Sequence, residues 1–204
     1  RDIAMTTSPQ YSDINLGGIR LDDVNGDGLD DLVQIRFDSV DVWLNVDGAG
    51  FTPNRHILAK TPPSPGFQNR VRLADMNGSG TRDIVWGDGL GYKYIDLAGG
   101  QRPWVLTHVE NGLGKTTDIA YGSSPQLMLA AAAAGNPWTS VTPMALHVVT
   151  KVTEHDNLAI VGRPAGEYVT TYEYRDPVYD GRQREFRGFK DVKVRRIGDD
   201  NSPS

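Results

Sequence analysis

The stretch DVNGDGLDD at residues 23–31 constrains this chain more than any other, and DMNGSGTRD at residues 75–83 repeats it. Asp23, Asn25, Asp27 and Asp31 occupy positions 1, 3, 5 and 9 of the first loop, and Asp75, Asn77, Ser79 and Asp83 occupy the same positions of the second. Gly28 and Gly80 stand at position 6, with Leu29 and Thr81 next to them, where a backbone carbonyl is contributed. A hard cation such as Ca²⁺ takes about six to eight oxygen ligands, and glycine at position 6 permits the sharp turn that brings them together. The loops begin 52 residues apart, so the motif is a repeat. It points to a binding or structural scaffold more than to an enzyme.

An EF-hand needs a bidentate Glu at position 12 and flanking helices. Position 12 is Gln34 in one loop and Trp86 in the other, and both loops are flanked by strand-like runs. A shorter loop that closes with Asp31 or Asp83 fits better. The predicted ligand sets are therefore Asp23, Asn25, Asp27, Leu29 and Asp31, then Asp75, Asn77, Ser79, Thr81 and Asp83. The first set carries three carboxylates and the second two, so the second attracts a dication less strongly. The competing reading is a turn whose Asp and Asn side chains cap their own backbone.

Each loop sits in the same local grammar. Ile19 and Leu21, then Val71 and Leu73, lead in; LVQIRF at 32–37 and IVWG at 84–87 lead out. VDVWLNVDGAGF at 40–51 reads as a strand, a Gly-rich turn and an aromatic, LGYKYIDL at 90–97 as a further strand, and TPPSPGF at 61–67 as a linker. Short strands between Gly, Asp and Asn turns indicate all-β structure, and repetition at about 50 residues points to propeller blades. After residue 110 the pattern changes. Residues 117–121 read as a strand, 126–134 as a short helix stopped by Gly135 and Pro137, and 145–154, 167–174 and 184–197 as long strands. The alanines of that helix are expected to be buried. Tyr168, Thr170, Tyr172 and Tyr174 share one face by the two-residue period, and Asp180-Gly181 supplies a turn. The fold class expected is mainly β: propeller blades with calcium loops over 1–110, then long strands of a shell over 111–204.

Composition excludes several functions. A net charge of −5 with no basic cluster argues against nucleic acid and anionic membranes. The chain has no cysteine, which excludes disulfides and thiol chemistry. No apolar run approaches the roughly 18 residues a membrane span needs, so no direct insertion is expected. The chain opens at Arg1 without an initiator Met or a signal-peptide pattern and is read as an internal piece of a longer protein.

Catalytic signals are weak. GLGKTT at 112–117 lacks the earlier glycine of a phosphate-binding loop, since that position is Val109. His56, His108, His147 and His155 have no metal-ligand spacing, and no GxSxG surrounds Ser123 or Ser124. Glu154 and His155, adjacent on a strand, point to opposite faces. Asn77-Gly78-Ser79 matches a glycosylation sequon but lies inside the metal loop.

The loop units, DVNGDGLDD followed by VDVWLN and GAGF, resemble the FG-GAP or VCBS repeats of β-propeller proteins. NGLGKTTDIAY, AGNPW, HVVTKV and TTYEYRDPVYDGRQREFRGFKDV resemble the middle region of the TcB components of bacterial insecticidal toxin complexes, in the order also found in SpvB-type and Rhs proteins. The resemblance covers nearly all of residues 15–196. It implies a propeller that docks onto a pore-forming, TcA-like subunit, and β-ribbons that begin a shell around a TcC-like toxic effector. It implies a non-enzymatic, secreted protein with a cytoplasmic stage before export. YD repeats, an effector and a self-cleaving segment are absent from the sequence. An adhesin with an integrin-like or carbohydrate-binding propeller is the alternative. On the toxin-complex reading Ca²⁺ is structural and raises the melting temperature, and the isolated piece tends to associate.

Overall fold

The two residue patterns become two units, residues 1–104 and 105–204. The computed structural model describes residue 5 and residues 18–35, 39–52, 55–58, 71–87, 91–159, 161 and 164–197. The Pro-rich segment at 61–67, the end of LVQIRF and the start of LGYKYIDL lie outside the described residues.

In the first unit, β1 (Ile19–Asp22), β2 (Asp31–Ile35), β3 (Ser39–Trp43), β4 (Asn45–Val46), β5 (Gly50–Phe51) and β6 (Arg55–Leu58) are followed by β7 (Arg72–Ala74), β8 (Asp83–Gly87) and β9 (Tyr92–Ile95). The strands β1-β2-β3-β6 form an antiparallel sheet, β7-β8-β9 form another, and β4-β5 make a small hairpin turned by Ala49 N–H to the Val46 carbonyl at 2.9 Å. The central strand β2 is buried along its whole length, and β3 and β8 are buried at four of their five residues. Burial of this kind needs apolar side chains on both faces. Val33, Ile35, Val40, Val42, Val71, Ile84, Trp86 and Leu97 supply them in one shared core, with Val24 contributed by the first loop itself. β-Branched residues suit these strands because they pack well on a pleated surface.

The second unit is a five-stranded antiparallel meander: β10 (His108–Glu110), β11 (Thr116–Ser123), β12 (His147–His155), β13 (Glu167–Asp180) and β14 (Glu185–Ile197), with α1 (Ser124–Ala133) inserted after β11. The division between units falls ahead of residue 111 because β10 pairs with β11. GLGKTT is the turn joining these two strands, closed by Asn111, whose side chain accepts from Leu113 N–H and Lys115 N–H. The strand expected at 167–174 continues to Asp180, past Pro177. Asp176 takes a left-handed φ of 51° there, and its carboxylate accepts from the backbone of Thr139 and Ser140. Ser140 Oγ donates to the Pro177 carbonyl at 2.8 Å, and Arg175 donates to the carbonyls of Asn136 and Pro137. Trp138 meets Phe189 edge-on at 6.2 Å, and Phe189 also packs on Tyr174 and Phe186. Residues 136–140 are thus strapped over the irregular part of the β13–β14 ribbon.

The helix starts two residues earlier than its apolar pattern suggests, because Ser123 caps it and Pro125 fits its first turn. Its end is a Schellman arrangement: Asn136 N–H reaches the Ala131 carbonyl and Gly135 N–H the Ala132 carbonyl, with Gly135 at φ 75°. The expectation that its alanines are buried fails. Ala130, Ala132 and Ala133 are exposed and Leu129 is 65% exposed. Small apolar residues favour helix by propensity whether or not anything covers them. Among the described residues, no helix is long and apolar enough to cross a membrane.

Candidate metal loops

Both predicted loops join adjacent antiparallel strands, β1 to β2 and β7 to β8. Their hydrogen bonds correspond residue for residue. Asp23 accepts from Gly28 N–H at 2.8 Å, and Asp75 from Gly80 N–H at 2.8 Å. Asn25 accepts from Asp27 N–H at 2.9 Å, and Asn77 from Ser79 N–H at 2.9 Å. Asp31 accepts from Val24 N–H at 3.1 Å, and Asp83 from Met76 N–H at 2.9 Å. Gly26, Gly28, Gly78 and Gly80 all have φ between 74° and 90°, which L side chains resist. The sequence repeat is therefore a structural repeat, and its acids cap their own backbone as the competing reading required.

Position 9 separates the two loops. Asp31 and Asp83 are both fully buried. Asp31 Oδ1 accepts from Asn45 N–H at 2.9 Å, so both its oxygens are bonded. Burial still raises its carboxyl above the ordinary value of 3.8, with Asp27 and Asp23 adding to the rise. Asp83 Oδ1 has no hydrogen-bond partner. Burial pushes Asp83 up to about 6, and the nearby acids Asp96 and Asp75 reinforce it against the Met76 and Asn77 amides.

Asp96 is a residue the sequence reasoning missed. It follows β9, accepts from Asn77 Nδ2 at 2.9 Å and from Ala98 N–H at 2.9 Å, and its charge acts on Asp83. With it the second loop has three carboxylates, Asp75, Asp83 and Asp96, to match the first. The signal available was its place just after the strand, near where Asn45 follows β3. Ser79 and Thr81 are buried and bond each other through their hydroxyls at 2.8 Å, while Leu29 N–H donates to Asp27. A cleft of about 690 Å³ lies beside the first loop, lined by Asn25 and Asp96 with Val24, Leu44, Leu97 and Trp104.

Among the described residues, no group of three or more His, Asp or Glu side chains is arranged to hold a metal ion. The donor chemistry nevertheless suits a hard cation. The donors are oxygens, and each carboxylate oxygen bonded to one N–H keeps a second lone pair. The unpartnered Asp83 Oδ1 is a buried acceptor of the kind that costs free energy when left unmet.

Two units of antiparallel sheet, one carrying duplicated acid loops and one a long ribbon, define a mainly β protein. Residues 45–201 match the family described as the insecticide toxin TcdB middle/N-terminal region, and the chain belongs to that family. No curated protein matches it. It is similar to the solved TcdB2-TccC3 structure at 24% identity and a TM-score of 0.75, covering 95% of this chain and 10% of that one. Similarity to TcdB2-TccC3-Cdc42 is 25% with a TM-score of 0.72, covering 89% and 9% respectively. The form of TcdB2-TccC3 without its hypervariable C-terminal region gives the same figures. The chain thus spans about a tenth of the length of these solved chains.

Proposed function

We propose that this chain is a non-enzymatic scaffold segment of a secreted bacterial toxin complex. The first unit contributes blades of an FG-GAP/VCBS-like propeller that docks onto a pore-forming, TcA-like subunit. The second contributes early strands of a shell, related to those of SpvB and Rhs proteins, that encloses a TcC-like effector. The observation that carries this reading is the family match, which runs from residue 45 to 201 through both units. The solved TcdB2 structures that pair with TccC3 support an effector partner of that type. Copurification of the whole parent protein with separately expressed TcA-like and TcC-like subunits tests it. Retention of both is expected; failure to retain either rejects the assembly role.

Ca²⁺ in this reading is a structural ligand. Asp23, Asn25, Asp27, Asp31 and the Leu29 carbonyl would hold one ion, and Asp75, Asn77, Ser79, Asp83 and the Thr81 carbonyl a second, with Asp96 close by. The ion supplies positive charge that offsets repulsion among the clustered carboxylates. A ligand bound only by the folded form stabilises by about 3 kcal/mol when present at about 100 times its Kd. Calorimetry should therefore show a higher melting temperature in calcium than in chelator, and coincident curves reject a structural ion.

A further inference from the structure

Four strands of the second unit carry an ionic row that the proposed assembly role does not use. His108 and Glu110 stand on β10, Asp118 on β11, His155 on β12 and Glu167 on β13. The register sets Asp118 opposite His108, and aligns Glu110, Thr116, His155 and Glu167 in the next row. Residues two apart on a strand share a face, so the two rows project together. His108 Nδ1 lies 2.7 Å from Asp118 Oδ1, and its Nε2 lies 3.3 Å from Glu110 Oε1. His155 Nε2 lies 3.8 Å from Asp118 Oδ2, and its Nδ1 lies 3.8 Å from Glu167 Oε2. The order is Glu110, His108, Asp118, His155, Glu167, with each imidazole between two carboxylates. Lys115, in the adjoining turn, is engaged by Glu154.

A neutral imidazole has one N–H, so one ring nitrogen of a neutral His108 would turn a lone pair towards a carboxylate. Only the imidazolium donates from both nitrogens. A shared metal is a poor alternative, because no three acid or imidazole groups among the described residues are arranged to hold one. We infer that this row is a proton-operated clasp that holds the edge strand β10 onto the sheet, closed at mildly acidic pH and released as the pH rises. The inference is independent of the assembly role.

The electrostatics agree in sign. Donating to the Asp118 carboxylate, then to that of Glu110, holds the His108 imidazolium above its ordinary pKa of 6.5. A raised value in the fold means the stabilisation is fully present below the unfolded value and lost as pH rises through the folded one. Exposed ion pairs are individually weak, so the consequence is local. β10 has three paired residues, all exposed, and belongs among the first elements to open. Its opening bares the edge of β11 from Thr116 to Asp118.

Amide hydrogen exchange read by mass spectrometry on the full chain tests the clasp. After correction for intrinsic rates, protection over residues 108–119 should fall by about two- to fivefold between about pH 5.5 and about pH 8.5. Asp118→Asn should remove that pH dependence and move exchange of the His108 ring C–H to lower pH. Glu110→Gln should weaken both effects. Should Asp118→Asn fail to fold, His108→Gln replaces it and should flatten the same profile. Protection that is independent of pH in the unaltered chain, or equally dependent on it in the folded variant, overturns the inference.

Discussion

Asp83 is the residue on which the metal question turns. It is buried, one oxygen is unbonded, and Asp75 and Asp96 stand near it. Asp83→Asn would keep the acceptor for Met76 N–H and remove a charge that Asp96 and Asp75 oppose. In chelator the variant should therefore melt at a higher temperature than the unaltered chain, and calcium should add less to it. A calcium increment of undiminished size would remove the second loop from consideration. Asp176 is the opposite case. Its amide partners, Thr139 foremost, hold its carboxyl below the ordinary value of 3.8. A depressed value contributes stability that is present above the unfolded value and lost as pH falls through the folded one. Asp176→Asn, which tolerates the left-handed backbone, should lower the melting temperature at neutral pH and weaken its fall below about pH 4. An acid melting profile unchanged by the substitution would contradict this.

At the scale of elements, the short helix depends on its ends more than on packing. Its alanines face solvent and its terminal carbonyls are closed by Gly135 and Asn136. Gly135→Ala forces a β-carbon into the left-handed region and should cost about 1 kcal/mol. Urea unfolding of the second unit measures that cost, and a change near zero would mean that the cap is dispensable. The acid loops are governed differently. Their glycines and Asx hydrogen bonds are local, so both were legible as turns before any strand was paired. The partner of Asp31 at Asn45 and the neighbour of Asp83 at Asp96 arrive from the next strand along, and adjacency in a sheet is not written in spacing.

The two units differ in how much apolar surface they hide. The first has one core built from its two larger sheets. In the second, no Val, Leu, Ile, Met, Phe, Trp or Tyr among the described residues is fully buried, and Val192, Val194 and Ile197 are 41–52% exposed along the edge strand β14. A long unpaired edge with exposed apolar residues invites pairing with another chain. The isolated chain should accordingly self-associate as its concentration rises. Sedimentation that finds a monomer over a wide concentration range would refute this.

Local chemistry in the sequence determined the mainly β class, the duplicated loops, the turns at GLGKTT and after Asp180, and the helix, because each follows from the period, glycines and caps of a few neighbouring residues. Tertiary structure alone decided that both oxygens of Asp31 are bonded while one of Asp83 is not, that residues 136–140 brace the left-handed residue Asp176, and that His108 and His155 meet three acids. These outcomes depend on which strands lie side by side. Cross-strand register joins residues tens of positions apart, and no motif spacing encodes it.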